Sequence, residues 1–314
     1  MPTSQVTPSL QLQPFTQTSN VDQAVVAPST QPSPKAPELH SVDEPTLRTV
    51  HVSANPLGRT LFEGAAPLGP EAVVVTSSYQ HSVRHALAGS DTDLARMKSF
   101  FALIVGQANV KVWKDPGQGA LNAIFHKCRQ RPSCLYVNGH ASSSKYFPND
   151  STLEEDWFAD SSGAPFSEIR LALIDTPDPM KLIVVADMCG CYNFLSEPLK
   201  SVEDGRKWSW KETKEYQMDG SGSWDESKEI LHFAATEESG EAHEWESIGG
   251  IFTREFSNVH PDTSLGARLD TMEAYILPFL DKYARGKVQK PQIYSSHKFD
   301  FDQVGVLKAI LSFK

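Results

Sequence analysis

The feature that most constrains this chain is the run Lys181-Leu-Ile-Val-Val-Ala186, in which five consecutive apolar residues separate a lysine from Asp187. A strand with one face in water alternates apolar and polar residues. A strand apolar at every position must be covered on both faces, as in a parallel sheet whose connections cross over as helices. Three shorter runs repeat the pattern: Ala72-Val-Val-Val75, Asn109-Val-Lys-Val-Trp113 and Cys134-Leu-Tyr-Val137. Between the first two, Asp91 to Ile104 sets Leu94, Met97, Phe101 and Ile104 at helical spacing behind acidic residues in the first turn, which predicts a crossover helix. A fifth strand is predicted at Ile230-Leu-His-Phe-Ala-Ala235. Helices follow near 250–258 and over 264–283, and a last short strand at Gln292 to Ser295 closes the sheet. The alternation identifies an α/β domain.

Two stretches depart from that pattern. Residues 1–70 carry about half of the chain's 21 prolines among Ser, Thr and Gln, so they are expected to be a disordered, pro-segment-like tail ahead of a domain spanning 71–314. Residues 201–229 form a polar stretch too long for an ordinary connection, and are expected to be a long loop that is functional or cut. Trp208, Trp210 and Trp224 within it can line a groove or anchor the loop to the domain, the second role fitting ordinary packing better.

The formal net charge of -10 argues against a dedicated nucleic-acid binder and suits a basic substrate. Cys128, Cys134, Cys189 and Cys191 are too few and too irregularly spaced for a disulfide framework, which points to a reducing, cytoplasmic or nuclear setting. No run reaches the length of a membrane span, and the N-terminus lacks a secretory pattern, so no membrane partner is expected.

The chemistry gathers at two strand ends, where α/β sheets collect ligands and catalytic groups. One strand runs into Asn138-Gly139-His140-Ala141-Ser142, the other into Asp187-Met188-Cys189-Gly190-Cys191. If the strands are neighbours, His140 meets a cysteine. An imidazole beside a thiol raises the thiolate fraction and can then protonate a leaving amine, while backbone N–H groups stabilise a tetrahedral oxyanion. Other readings stay open at this level: a buried Cys as a small hydrophobe, a loop His held by hydrogen bonds, or a Cys-x-Cys beside a His as a zinc ligand set, for which a second matched pair is missing. Glu237, Glu238, Glu241 and Glu244 can supply acid to a pocket or simply form a solvated face.

At these strand ends the sequence resembles the caspase-fold cysteine peptidases, most closely the metacaspases. LYVNGHAS is similar to the family strand ending in the catalytic His, and LIVVADMCGCYNF to the strand ending in an Asp-x-Cys nucleophile motif. EAVVVTSSY with LAGSDTDLARMKSFF, HFAATEESGEAHEW with GGIFTREF, and PQIYSSHKFDFD resemble further family segments in the same order, so the likeness covers 71 to about 303. It implies a mainly parallel six-stranded sheet with helices on both faces, and a division into two subunit-like halves by the 201–229 loop. Cys189 would be the nucleophile and His140 its base, with an oxyanion hole from the N–H groups of Ala141 and Cys189. Asp187 would contact a substrate Arg or Lys. Ala141 departs from the family's glycine, and Gly190-Cys191-Tyr192 from its usual His-Ser-Gly.

The resemblance implies a monomeric thiol endopeptidase acting on basic peptides or proteins, with self-cleavage after Arg206, Lys207, Lys211 or Lys214. No metal or cofactor is expected: the family resemblance would allow calcium activation, but no counterpart of the family's calcium-binding carboxylates is visible. The rival expectation is a non-catalytic module of the same fold that binds partners, suggested by Ala141 and the altered residues after Cys189.

Overall fold

The computed structural model describes residues 69–312 except 83, 152–162, 206, 220–223, 239 and 246. The expected tail, residues 1–70, therefore lies outside the described residues apart from Gly69 and Pro70.

The apolar runs become strands that carry the centre of one eight-stranded sheet. The chain enters β1 (Glu71–Thr76), turns into α1 (Ser90–Val105) and, after a single 3-10 turn, forms β2 (Val110–Lys114). Helix α2 (Gln118–Cys128) leads to β3 (Ser133–Asn138), which is followed by the short strands β4 (His140–Ala141), β5 (Lys145–Phe147) and β6 (Ala164–Pro165). Helix α3 (Phe166–Ile174) then precedes β7 (Met180–Asp187). Next come β8 (Leu199–Asp204), β9 (Lys207–Glu212), α4 (Lys214–Asp219) and β10 (Lys228–Ala234). The chain finishes with β11 (Glu244–Trp245), β12 (Gly249–Gly250), α5 (Ile251–Asn258), α6 (Leu265–Tyr283), β13 (Gln292–Ser295) and α7 (Val306–Leu311).

The sheet order is β2-β1-β3-β7-β10-β13-β8-β9, with the first five strands mutually parallel and the last three antiparallel to their neighbours. Every residue of β1 and β3 is buried, and all of β7 except Lys181. Such strands need cover on both faces. Two helix groups flank them: α1, α5 and α6 pack together, while α2 packs on α3 and α7 lies against β7. Arg268 of α6 is fully buried and ties that layer down, donating from Nη1 to the Phe256 carbonyl at 2.8 Å and from Nη2 to the His260 carbonyl at 2.8 Å.

Two expectations are corrected here. The sheet has eight strands, not six, and the stretch 201–229 is not one long loop. Its first part is the hairpin β8–β9, in which every residue of β8 pairs with one of β9 from Leu199↔Glu212 to Asp204↔Lys207. The turn opens on Gly205 at φ +70°, directly after the last registered pair, Asp204↔Lys207. Glycine at the first position of a short connection is the hairpin signal that the polar composition hid. Trp208 and Trp210 alternate along β9 and do anchor it: their Nε1 groups donate to Asp270 Oδ1 at 2.6 Å and to the Phe299 carbonyl at 2.7 Å. Among the described residues no helix is long and apolar enough to cross a membrane.

Candidate active site

Strands β3 and β7 are adjacent and parallel, with Asn138 and Asp187 as their last registered pair. His140 and Cys189 therefore each stand two residues beyond the same rung, at the carboxyl edge of the sheet. The segments that follow them touch: a Cβ placed on Gly190 would lie 3.0 Å from the Ser142 carbonyl oxygen and 3.2 Å from Ser143 Cα.

The turn into His140 depends on Gly139. Its φ is +148°, and a Cβ there would lie 2.6 Å from the Tyr79 hydroxyl and 2.9 Å from the Tyr146 ring. Both tyrosines hold this corner. The Tyr79 hydroxyl accepts from His140 N–H at 2.9 Å and donates to the Phe147 carbonyl, bridging a rung of the β4–β5 ladder. The Tyr146 hydroxyl contacts Ser77 Oγ at 2.8 Å and donates to the Asn138 carbonyl at 3.1 Å. Tyr79 itself adopts φ +50°, an arrangement that costs on the order of 1–3 kcal/mol and persists only where its surroundings impose it.

The imidazole of His140 stacks on the Tyr79 ring with centroids 4.7 Å apart, and its Nε2 lies 2.7 Å from the His85 carbonyl oxygen. A carbonyl can only accept, so Nε2 carries the hydrogen and Nδ1 carries the lone pair. Burial lowers the pKa of His140 to about 4; the His85 carbonyl opposes this and the His85 ring adds to it. The imidazole is neutral at pH 7.

Cys189 is half-buried. Its Sγ accepts from Ala242 N–H at 3.4 Å and lies 3.8 Å from the Ala242 carbonyl oxygen, while Gly190 N–H donates to the Gly240 carbonyl at 3.1 Å. Desolvation pushes the thiol pKa up, the Ala242 N–H lowers it, and Glu241 and Asp187 raise it further. Thiol and imidazole thus both rest uncharged. Cys191 differs from its neighbour: it is fully buried, its thiol donates to the Ala186 carbonyl at 3.4 Å, and burial pushes its pKa to about 11. Such a sulfur acts as a packed apolar group. Cys128, pushed to about 12 by burial, is of the same kind.

Ala141 is not strained. Its φ is not positive, so the position makes no demand for glycine. Ser142 N–H donates to the Lys145 carbonyl at 2.8 Å, which makes Ser142 and Lys145 a hydrogen-bonded rung of the β4–β5 hairpin. Ala141, opposite Tyr146, then occupies the non-hydrogen-bonded rung, and its N–H points away from β5. The β4–β5 ladder makes no use of that donor.

Asp187 is only 7% exposed and accepts from Thr253 N–H at 3.2 Å and Thr253 Oγ1 at 2.6 Å. The same Thr253 hydroxyl lies 2.8 Å from Tyr136 Oη, so one side chain of α5 joins β3 and β7. Beside Asp187 stands Asp93 of α1, buried and accepting from Gly250 N–H at 2.9 Å. Glu244 completes a cluster of three carboxyls. Desolvation raises the pKa of each, that of Glu244 to about 7, and Asp187 raises both of the others. Arg96 lies 3.8 Å from Asp93 and offsets this in part.

The sequence pattern missed Asp93, which reads as one more acidic residue in a helix first turn. Only its position three residues inside α1, facing the β11–β12 turn, sets it apart. Glu244 leaves the solvated run that Glu237, Glu238 and Glu241 keep. The carbonyl of His85 and the backbone of Ala242 carry no side-chain signal and were invisible in sequence.

The expected self-cleavage positions are scattered. Arg206 lies outside the described residues, Lys207 and Lys211 are exposed members of the paired strand β9, and Lys214 opens α4. Cleavage after Lys211 would require β9 to peel from β8. The chain matches no protein-family model and no curated protein sequence.

Proposed function

We propose that this chain is a cysteine endopeptidase of the caspase fold, of metacaspase type, cleaving after Arg or Lys. The observation that carries the reading is the placement of His140 and Cys189, each two residues beyond one rung of two adjacent parallel strands, together with the His85 carbonyl on Nε2–H, which leaves the Nδ1 lone pair for a base.

In this reading His140 Nδ1 takes the Cys189 proton as sulfur attacks the scissile carbonyl carbon. The C=O electron pair moves to oxygen, which the N–H groups of Ala141 and Cys189 receive. Collapse of the intermediate breaks the C–N bond, His140 returns its proton to the leaving amine, and a thioester remains. Water activated by His140 then releases the acid and restores the thiol. The Asp187, Asp93 and Glu244 carboxyls supply the acid that a substrate guanidinium or ammonium would meet. Self-processing between the two halves belongs to the same reading.

A Cys189→Ala protein should lose all measurable cleavage of Arg- and Lys-containing fluorogenic peptides; retained turnover would sink the assignment. A second reading, a partner-binding module without activity, is favoured by one feature: both backbone groups of Ala242 close on the thiol, whose pKa is raised. Rapid labelling of Cys189 by an arginyl chloromethyl ketone, abolished in Cys189→Ala, would reject that second reading.

A further inference from the structure

Among the described residues, strand β2 forms one edge of the sheet and pairs with β1 alone. Its five residues run without proline or bulge, and its outer row of backbone donors and acceptors meets no partner strand among the described residues. Val112 and Trp113 are 38% and 40% exposed. Lys111 and Trp113 share one face of the strand with Val73, the registered partner of Lys111. Helix α2 runs beside that face, and a groove of about 430 Å³ opens between them, with Val73 and Ile124 as apolar floor and Lys111, Trp113 and Lys127 among its walls.

The charges of this groove are uneven. Arg131 is paired with Glu71, and Lys114 with Asp91 at 2.7 Å, just outside the groove. Lys111 and Lys127 take part in no ion pair among the described residues, and the Lys127 ammonium stands 5.9 Å from the centre of the Trp113 ring. Two uncompensated positive charges thus border an open strand on a chain of net charge -10. Lysine on an edge strand deters pairing with a second copy of the same strand. The same lysines attract a strand of opposite sign, and a guard alone needs neither an apolar floor nor an exposed indole.

We propose that the β2 edge and the groove between β2 and α2 bind an extended acidic peptide segment as an added strand. Backbone pairing along β2 provides the attachment, alternate apolar side chains enter the groove, and carboxylates meet Lys111 and Lys127. The far edge, β9, lacks this combination: its two tryptophans are spent on Asp270 and Phe299, and its exposed charges are mixed.

The test uses full-length Cys189→Ala protein, so that no result depends on the peptidase reading. A fluorescein-labelled peptide of about eight residues alternating Val with Glu, and its Val–Lys counterpart, are titrated by fluorescence anisotropy. The acidic peptide should bind saturably, and the basic one should not. The double variant Lys111→Glu/Lys127→Glu should weaken the acidic peptide at least about tenfold and turn the preference toward the basic one. Acidic peptides N-methylated at alternate residues, one set for each edge of the peptide, keep the test decisive if that variant misfolds; one set should lose binding at least about tenfold while the other retains it. No binding of the acidic peptide, equal binding of both peptides, indifference to both methylation sets, or equally effective displacement by oligothymidylate would each overturn the proposal.

Discussion

The two halves of the sheet follow different rules. From β2 to β10 the strands are parallel and, apart from the edge strand β2, buried nearly throughout, and they bring His140, Cys189 and Asp187 to one edge. From β13 to β9 they are antiparallel, and β8 and β9 carry Lys, Glu, Asp and Ser between apolar residues. Covered strands hold the site because their ends cannot shift without disturbing a core packed on both faces. The antiparallel flank holds its place through a few directed contacts, chiefly two indole N–H bonds and a tight turn.

Turn glycines offer the most direct way to break this comparison. Gly139→Ala forces an L side chain to φ +148° and onto the Tyr79 hydroxyl 2.6 Å away. It should cost about 3 kcal/mol or more in chemical denaturation, and cleavage activity should fall with it because His140 is the next residue. An unchanged midpoint would show that this corner is soft.

Next in size is the carboxyl cluster, which Asp187 ties to the parallel half. The folded-state pKa of Asp93 is raised above its unfolded value near 3.8, so the folded protein holds an extra proton from about pH 4 upward and stability falls as pH rises through that window. Asp93→Asn keeps the acceptor for Gly250 N–H and removes the charge. It should stabilise the protein by about 2 kcal/mol at pH 8 and by almost nothing at pH 4, read from urea unfolding at both values. Equal effects at the two pH values would show that the charge is not what matters.

The smallest effect is expected across the sheet. Gly205→Ala meets no atom within 4 Å, and its φ of +70° lies where an alanine is only mildly disfavoured. A loss of about 1 kcal/mol with activity intact is expected. A loss as large as that of Gly139→Ala would mean that the hairpin supports the site after all.

The parallel half was legible because continuous burial leaves a continuous apolar signature. The strand expected at 181–186 is found as β7, and the helix expected at 91–104 as α1. The hairpin was not legible, because β9 only half-buries alternate residues, and Trp208 and Trp210 among lysines look like loop. His140 and Cys189 could be picked out as unusual strand ends, yet the groups that contact their imidazole nitrogen and sulfur are backbone: the His85 carbonyl and the Ala242 amide and carbonyl. Such groups have no residue type to be recognised by.

By itself, the sequence determined the covered parallel strands, and it determined that a histidine and a cysteine would stand at the ends of two of them. Periodicity and apolar runs report burial, which is a local property of the chain. Only the tertiary structure decided that those strands are neighbours in register, that Cys191 is sealed while Cys189 is reachable, and that Asp93, ninety-four residues before Asp187, shares its site. These outcomes depend on which distant segments meet, and on how much water each meeting excludes from the charges involved.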